Sequence, residues 1–146
     1  MGWARVSDLL SLIETEYANA LLEGISISGG EPFDQPIALR ELLIGVRKLG
    51  LGILIYTGFT IEELRAMPEA KPCFEPESLV DILVDGPYDE SRQVQGELRG
   101  SANQRLLILT DRYTSDDLVP PGNLECIVKS DGTIYFTGFH RPSSVG

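Results

Sequence analysis

The residues best placed to do chemistry form a carboxylate set in a glycine-proline turn, Ser28-Gly29-Gly30-Glu31-Pro32-Phe33, directly after the strand-like run Gly24-Ile25-Ser26-Ile27. Two adjacent glycines remove the Cβ barrier, so the chain can take positive φ and a ligand can approach its amides and carbonyls closely. Pro32 removes a donor and stiffens the turn, which suits Glu31 to accept hydrogen bonds from a cationic group such as an α-ammonium. The same letters also read as a strand-to-helix turn with a solvated Glu. Two further polar segments follow predicted strands, Tyr56-Thr57-Gly58-Phe59 and Asp85-Gly86-Pro87-Tyr88. The C-terminal ends of parallel strands share one edge, where α/β proteins hold small ligands, so the three segments can line one pocket containing two acids. Their ordinary alternatives are a strand exit ahead of a helix cap at Thr60 and a plain turn at Asp85-Gly86-Pro87.

Other chemistries fit poorly. No Lys follows Gly29-Gly30 as a phosphate loop requires, and Gly50-Leu51-Gly52 precedes a strand instead of following one, unlike a dinucleotide fingerprint. Ser28, Asp85 and His140 occur in the order used by α/β-hydrolases, but no Gly-x-Ser-x-Gly elbow surrounds the serine. One His and two distant cysteines, Cys73 and Cys126, cannot supply a zinc site. Both thiols are expected to be free in a reducing cytoplasm.

The elements that position these residues follow from apolar spacing. Ser7 is expected to cap a helix in which Leu9, Leu10, Leu12, Ile13, Tyr17, Leu21 and Leu22 recur up to Gly24. A second helix starts around Asp34 and Pro36, carries Ile37 to Leu49 and stops at Gly50. Ile53 to Tyr56 reads as a strand buried on both faces, Thr60 caps a short helix through Leu64, and Leu79 to Val84 reads as a third strand. The polar stretch Tyr88 to Asn103 is a long loop of functional type, Leu106 to Leu109 a fourth strand, and Glu125 to Lys129 with Thr133 to Thr137 a hairpin around Ser130-Asp131-Gly132. The fold class is therefore α/β: a partial (βα) barrel-like parallel sheet with flanking helices and a C-terminal β-hairpin. Residues 1–110 form the core, 111–141 a hairpin extension of the same domain, and 142–146 a loose tail. A chain of 146 residues suits one domain. A formal charge of −10 argues against nucleic-acid binding, and no apolar run approaches a membrane span. A soluble cytoplasmic protein is expected.

Gly24 to Phe33 resembles the Gly-Gly-Glu-Pro segment of radical S-adenosylmethionine (SAM) enzymes, specifically the small activases of glycyl radical enzymes. Downstream, Asp81-Ile82-Leu83-Val84-Asp85-Gly86 and Leu98-Arg99-Gly100-Ser101-Ala102-Asn103-Gln104-Arg105 are similar to the activases of anaerobic ribonucleotide reductases. The resemblance spans about residues 3 to 110 and rests on the ordered pair of motifs. It implies that Gly29, Gly30, Glu31 and Pro32, after Ser28, hold the methionyl ammonium of SAM, with Tyr56, Thr57, Gly58 and Asp85 near the rest of the ligand. It also implies a [4Fe-4S] cluster, and as partner a glycyl radical enzyme from one of whose glycines a hydrogen atom is abstracted. The family's Cys-x-x-x-Cys-x-x-Cys ligands precede its first helix and are missing from this sequence, which begins at Met1 just past where that loop ends. No residue here is assigned as catalytic or as a metal ligand, and this chain alone is expected to be inactive. A cluster-free module that binds SAM, a nucleotide or a partner protein is the alternative. Lack of a preceding strand is expected to expose a sheet edge and favour self-association.

Overall fold

Alternation along the strands sorts the apolar residues onto two faces, and among the described residues only one face carries helices. The computed structural model describes residues 5–19, 24–118, 124–128 and 134–137. Its strands are β1 (Gly24–Gly29), β2 (Gly52–Tyr56), β3 (Ile82–Asp85), β4 (Arg105–Ile108), β5 (Leu124–Val128) and β6 (Ile134–Thr137), and its helices are α1 (Val6–Asn19), α2 (Pro36–Lys48) and α3 (Ile61–Ala66). The six strands form one sheet in the order β4-β3-β2-β1-β5-β6. Within it β1, β2, β3 and β5 run parallel, while β4 and β6 run antiparallel to their neighbours. Ile25, Ile27, Ile53, Ile55 and Leu83 join Leu9 and Ile13 of α1, Leu43 and Val46 of α2, and Ile61 and Leu64 of α3 in one core. Ser26, Leu54, Ile82 and Val84, also buried, belong to the opposite face.

That one-sided layering follows from the connections. β1, β2 and β3 are neighbours in chain order, so successive right-handed crossovers through α2 and α3 return on the same side. The arrangement is that of a barrel segment. With β4 and β6 at its ends the sheet has two edges and does not close.

Several local expectations shift. α1 begins at Val6, so Ser7 sits inside the first turn instead of capping it, and the Arg5 carbonyl accepts from the amides of Asp8 and Leu9. The third strand starts at Ile82, later than Leu79, because the Leu79 amide donates to the Cys73 carbonyl and Ser78 bonds both ends of Val80, turning the chain before it joins the sheet. The side of β1 away from β2 is no open edge, since β5 pairs along it from Ile25↔Leu124 to Gly29↔Val128. Leu21, Leu22, the Ser130-Asp131-Gly132 turn, His140 and the tail 142–146 lie outside the described residues.

The N-terminal ends of the strands are tied by Asp81, whose side chain is fully buried. Its carboxylate accepts from Arg47 at 2.7 Å, from the Ile53 amide at 2.8 Å and from the Thr110 hydroxyl at 2.6 Å, joining α2, β2 and the segment after β4. Beside it the Tyr113 hydroxyl lies where a Cβ on residue 52 would stand, so only glycine admits the ring. The Arg112 guanidinium donates to the Gly50 carbonyl at 2.6 Å and holds this return segment down. Asp81→Ala removes the acceptor for one buried amide, one partly buried hydroxyl and one partly exposed cation, and is expected to cost about 2–4 kcal/mol. Urea unfolding measures this as a lower midpoint with an unchanged slope.

Candidate functional site

At the opposite edge, where β1, β2 and β3 end, two carboxylates fasten one turn. β1 finishes at Gly29 with φ of +101°, a conformation that requires glycine, and Gly29 and Gly30 are both exposed. Glu31 then turns its side chain across to the segment after β2. Its Oε2 accepts from the Phe33 amide at 2.9 Å, its Oε1 accepts from the Gly58 amide at 2.7 Å, and the Thr57 hydroxyl donates to the carboxylate at 2.8 Å and 3.0 Å from its two oxygens. Thr57 is only 4% exposed, so its hydroxyl has Glu31 as its acceptor in a protected place. Pro32 opens the 3-10 turn Pro32–Asp34, whose Phe33 is buried against Phe74 and anchors the turn from below.

Asp85 reaches the same β2 exit from the other side. It is 1% exposed, accepts from the Ile61 amide at the start of α3 at 2.9 Å, and receives both the Nε and the Nη2 of Arg105. The Gly86 amide donates to the Phe59 carbonyl, and the Thr57 amide to the Val84 carbonyl. α3 has its own capping box, in which the Thr60 hydroxyl accepts from the Glu63 amide and Glu63 accepts from the Thr60 amide. Arg105 also binds Glu62, whose carboxyl is held below the usual range chiefly by that guanidinium, and Arg105 is pushed up by the two acids.

The structure thus brings Gly29, Gly30, Glu31 and Pro32 together with Thr57 and Gly58 through one carboxylate, and places Asp85 behind α3's first turn instead of open to solvent. Tyr56, half-buried at the end of β2, donates its hydroxyl to the Leu98 carbonyl at 2.8 Å and so connects the edge to the long loop. That loop is ordered from its own base. The buried Gln104 amide accepts from Gly100 and Ser101 through Oε1 and donates to the Gly86 carbonyl, Asn103 donates to the Pro87 carbonyl, and Ser101 accepts from the Asp89 amide. The Tyr88 ring packs where a Cβ on Gly100 would come within 3.0 Å of it. Asn103, Gln104 and Arg105 carry no role from the sequence alone; a buried Asp at a strand end, which requires a charge partner, is the signal that points to Arg105.

Among the described residues no group of three or more His, Cys, Asp or Glu could hold a metal ion. Cys73 is fully buried in the apolar core, where loss of solvation pushes its thiol up to about 11. The residues described here therefore do not fit an iron-sulfur cluster. Gly29 and Gly30 are exposed beside the anchored Glu31. No helix among the described residues is long and apolar enough to cross a membrane.

The strand exits of an α/β sheet, where this Gly-rich turn stands, are where proteins of that class commonly hold small ligands. The sequence pattern of the 4Fe-4S single cluster domain matches residues 2–107, and the chain belongs to that family. It is also 26% identical over 116 residues to the anaerobic ribonucleoside-triphosphate reductase-activating protein of Enterobacteria phage T4, a match covering 77% of this chain and 67% of that protein. No solved structure matches.

The Cys73 environment generates a direct check. In a Cys126→Ser variant, Cys73 is expected to resist iodoacetamide at pH 8 in the folded protein and to react fully in urea. Because the folded thiol titrates above its unfolded value of 9.0, its contribution to stability is intact below pH 9 and is lost as pH rises towards about 11. Alkylation followed by mass measurement, and urea midpoints across that window, read both effects.

Proposed function

We propose that this chain is the SAM-binding part of an activating protein whose partner is a glycyl radical enzyme of the anaerobic ribonucleotide reductase kind. The observation that carries this reading is the Gly29-Gly30-Glu31-Pro32 turn held rigidly at the strand exits, within a chain of the 4Fe-4S single cluster family. In this reading Gly29, Gly30, Glu31 and Pro32 form the ammonium cradle, with Ser28 at its entrance. Tyr56, Thr57, Gly58 and Asp85 shape the edge on which the rest of the ligand lies.

The residues of this chain bind and orient. Exposed glycines in a fixed turn beside an anchored acid favour a cation in one orientation. The loop from Tyr88 to Arg105, braced by Gln104 and touched by Tyr56, faces the partner and presents its glycine-bearing segment. The thiolates that would hold a [4Fe-4S] cluster are not among the residues described. The name of the phage T4 relative supports the choice of partner. Any self-association through strand pairing would use β4 or β6, which form the edges of the sheet.

Calorimetry with SAM tests the reading. Wild type is expected to bind and Gly30→Val to lose at least tenfold in affinity, because a branched side chain at this exposed turn obstructs the cradle. Absence of binding by the wild type would leave a scaffold or partner-binding role.

A further inference from the structure

β4 forms one edge of the sheet, and none of its residues Arg105, Leu106, Leu107 and Ile108 is buried, whereas every residue of β3 beside it is. In an antiparallel pair the N–H and C=O groups of successive residues point alternately toward and away from the neighbour. The Thr57 amide donates to the Val84 carbonyl, so Val84 faces β2, and Leu83 and Asp85 face β4. Their partners there are Leu107 and Arg105, and the Leu109 amide donates to the Asp81 carbonyl at 2.8 Å in the same phase. The N–H and C=O groups of Leu106 and Ile108 therefore point away from the sheet. Side chains follow the same alternation. Leu107 and Leu109 pack on the helix-covered core, which puts Leu106 and Ile108 on the opposite face beside Val84 and Ile82, with Ile108 40% exposed.

An open edge is a template for another strand, and soluble proteins guard such edges with lysine, proline or a charge directed along them. β4 has neither lysine nor proline. Its single charge, Arg105, is turned back onto Asp85 and Glu62. We infer that β4 is a strand-addition site, which receives an extended, basic segment of a partner protein through the N–H and C=O groups of Leu106 and Ile108. Charge favours that occupant: the chain carries −10, and the group at the start of β4 sets two acids, Asp85 and Glu62, against one guanidinium. A second copy fits worse. Two chains of −10 repel, and a four-residue edge falls far below the roughly 1,000 Å² that a stable interface buries. A segment tethered to a larger partner needs no such area of its own, because the other contacts raise its effective concentration. The identity of that partner rests on the activating-protein reading, while the edge belongs to this chain whatever its ligand.

Amide hydrogen exchange with a capped model peptide, acetyl-Lys-Val-Thr-Val-Thr-Lys-amide, tests the site without SAM. In the free protein the Leu106 and Ile108 amides are expected to exchange fast and the Leu107 amide slowly. Millimolar peptide should slow Leu106 and Ile108 about tenfold and leave Leu107 as it was. Replacing both lysines of the peptide by glutamates should abolish the slowing. Ile108→Pro should abolish it as well, since it removes an outward donor and no bond to β3, and its urea midpoint shows whether it folds. Ile108→Lys keeps the backbone donor, adds a like charge and should also lose the protection. No slowing by the basic peptide, slowing at amides other than Leu106 and Ile108, or equal slowing by the acidic peptide would overturn the inference. Protection of Leu106 and Ile108 that grows with protein concentration and needs no peptide would overturn it too, because the occupant would then be a second copy. No arm uses SAM, so failure here leaves the calorimetric test of the proposed function intact, and absence of SAM binding leaves the edge to be decided by exchange.

Discussion

The short turn after β2, residues 57–61, is held between two carboxylates, and the geometry of the whole strand-exit edge depends on that constraint. Glu31 takes the Gly58 amide and the Thr57 hydroxyl from one side; Asp85 takes the Ile61 amide from the other. A buried carboxylate is costly unless its acceptor positions are filled. Here the filling donors are backbone amides of the very segment that needs fixing, so each acid's demand for partners becomes a restraint on the turn. Arg105 supplies the opposite charge to Asp85, which is 1% exposed. Asp81 performs the same service at the other end of the strands with Arg47 and the Ile53 amide. Among acids in a chain of net charge −10, these three are engaged inward.

Among the described residues α1, α2 and α3 pack on one face of the sheet, and Gln104 fastens the loop after β3 to the Gly86 carbonyl just past the end of that strand. The Tyr56 hydroxyl on the Leu98 carbonyl ties the loop to the end of β2. β5, lying along β1, gives the cradle strand a neighbour on each side and a backbone that is paired up to Gly29.

Much of this was legible in the sequence, and the exceptions have physical reasons. The alternating run Ile25-Ser26-Ile27-Ser28 and the continuous apolar run Ile53 to Tyr56, each after a glycine, announce strands. Thr60 and Glu63 announce a capping box by spacing alone. Ser7 misled because a capping residue is recognised by type, while the helix here starts one residue earlier. The pairing of β5 with β1 was hidden, since nothing local in Leu124 to Val128 says which edge a distant strand will join. For the candidate site, the Gly-Gly-Glu-Pro segment was legible as a turn at a strand end, but the direction of the Glu31 side chain was not. Its partners Thr57 and Gly58 are 26 and 27 residues away, and a solvated Glu and a clamped one have the same local sequence.

The central claim, that the ligand lies at the strand-exit edge in the glycine cradle, is tested most directly by mapping backbone amide shifts of isotope-labelled protein as SAM is added. The account predicts that the largest changes concentrate on Ser28 to Glu31 and on Tyr56 to Phe59, with Leu51, Gly52 and Asp81 at the far edge unmoved. Changes confined to that far edge, or none at saturating SAM, would contradict it.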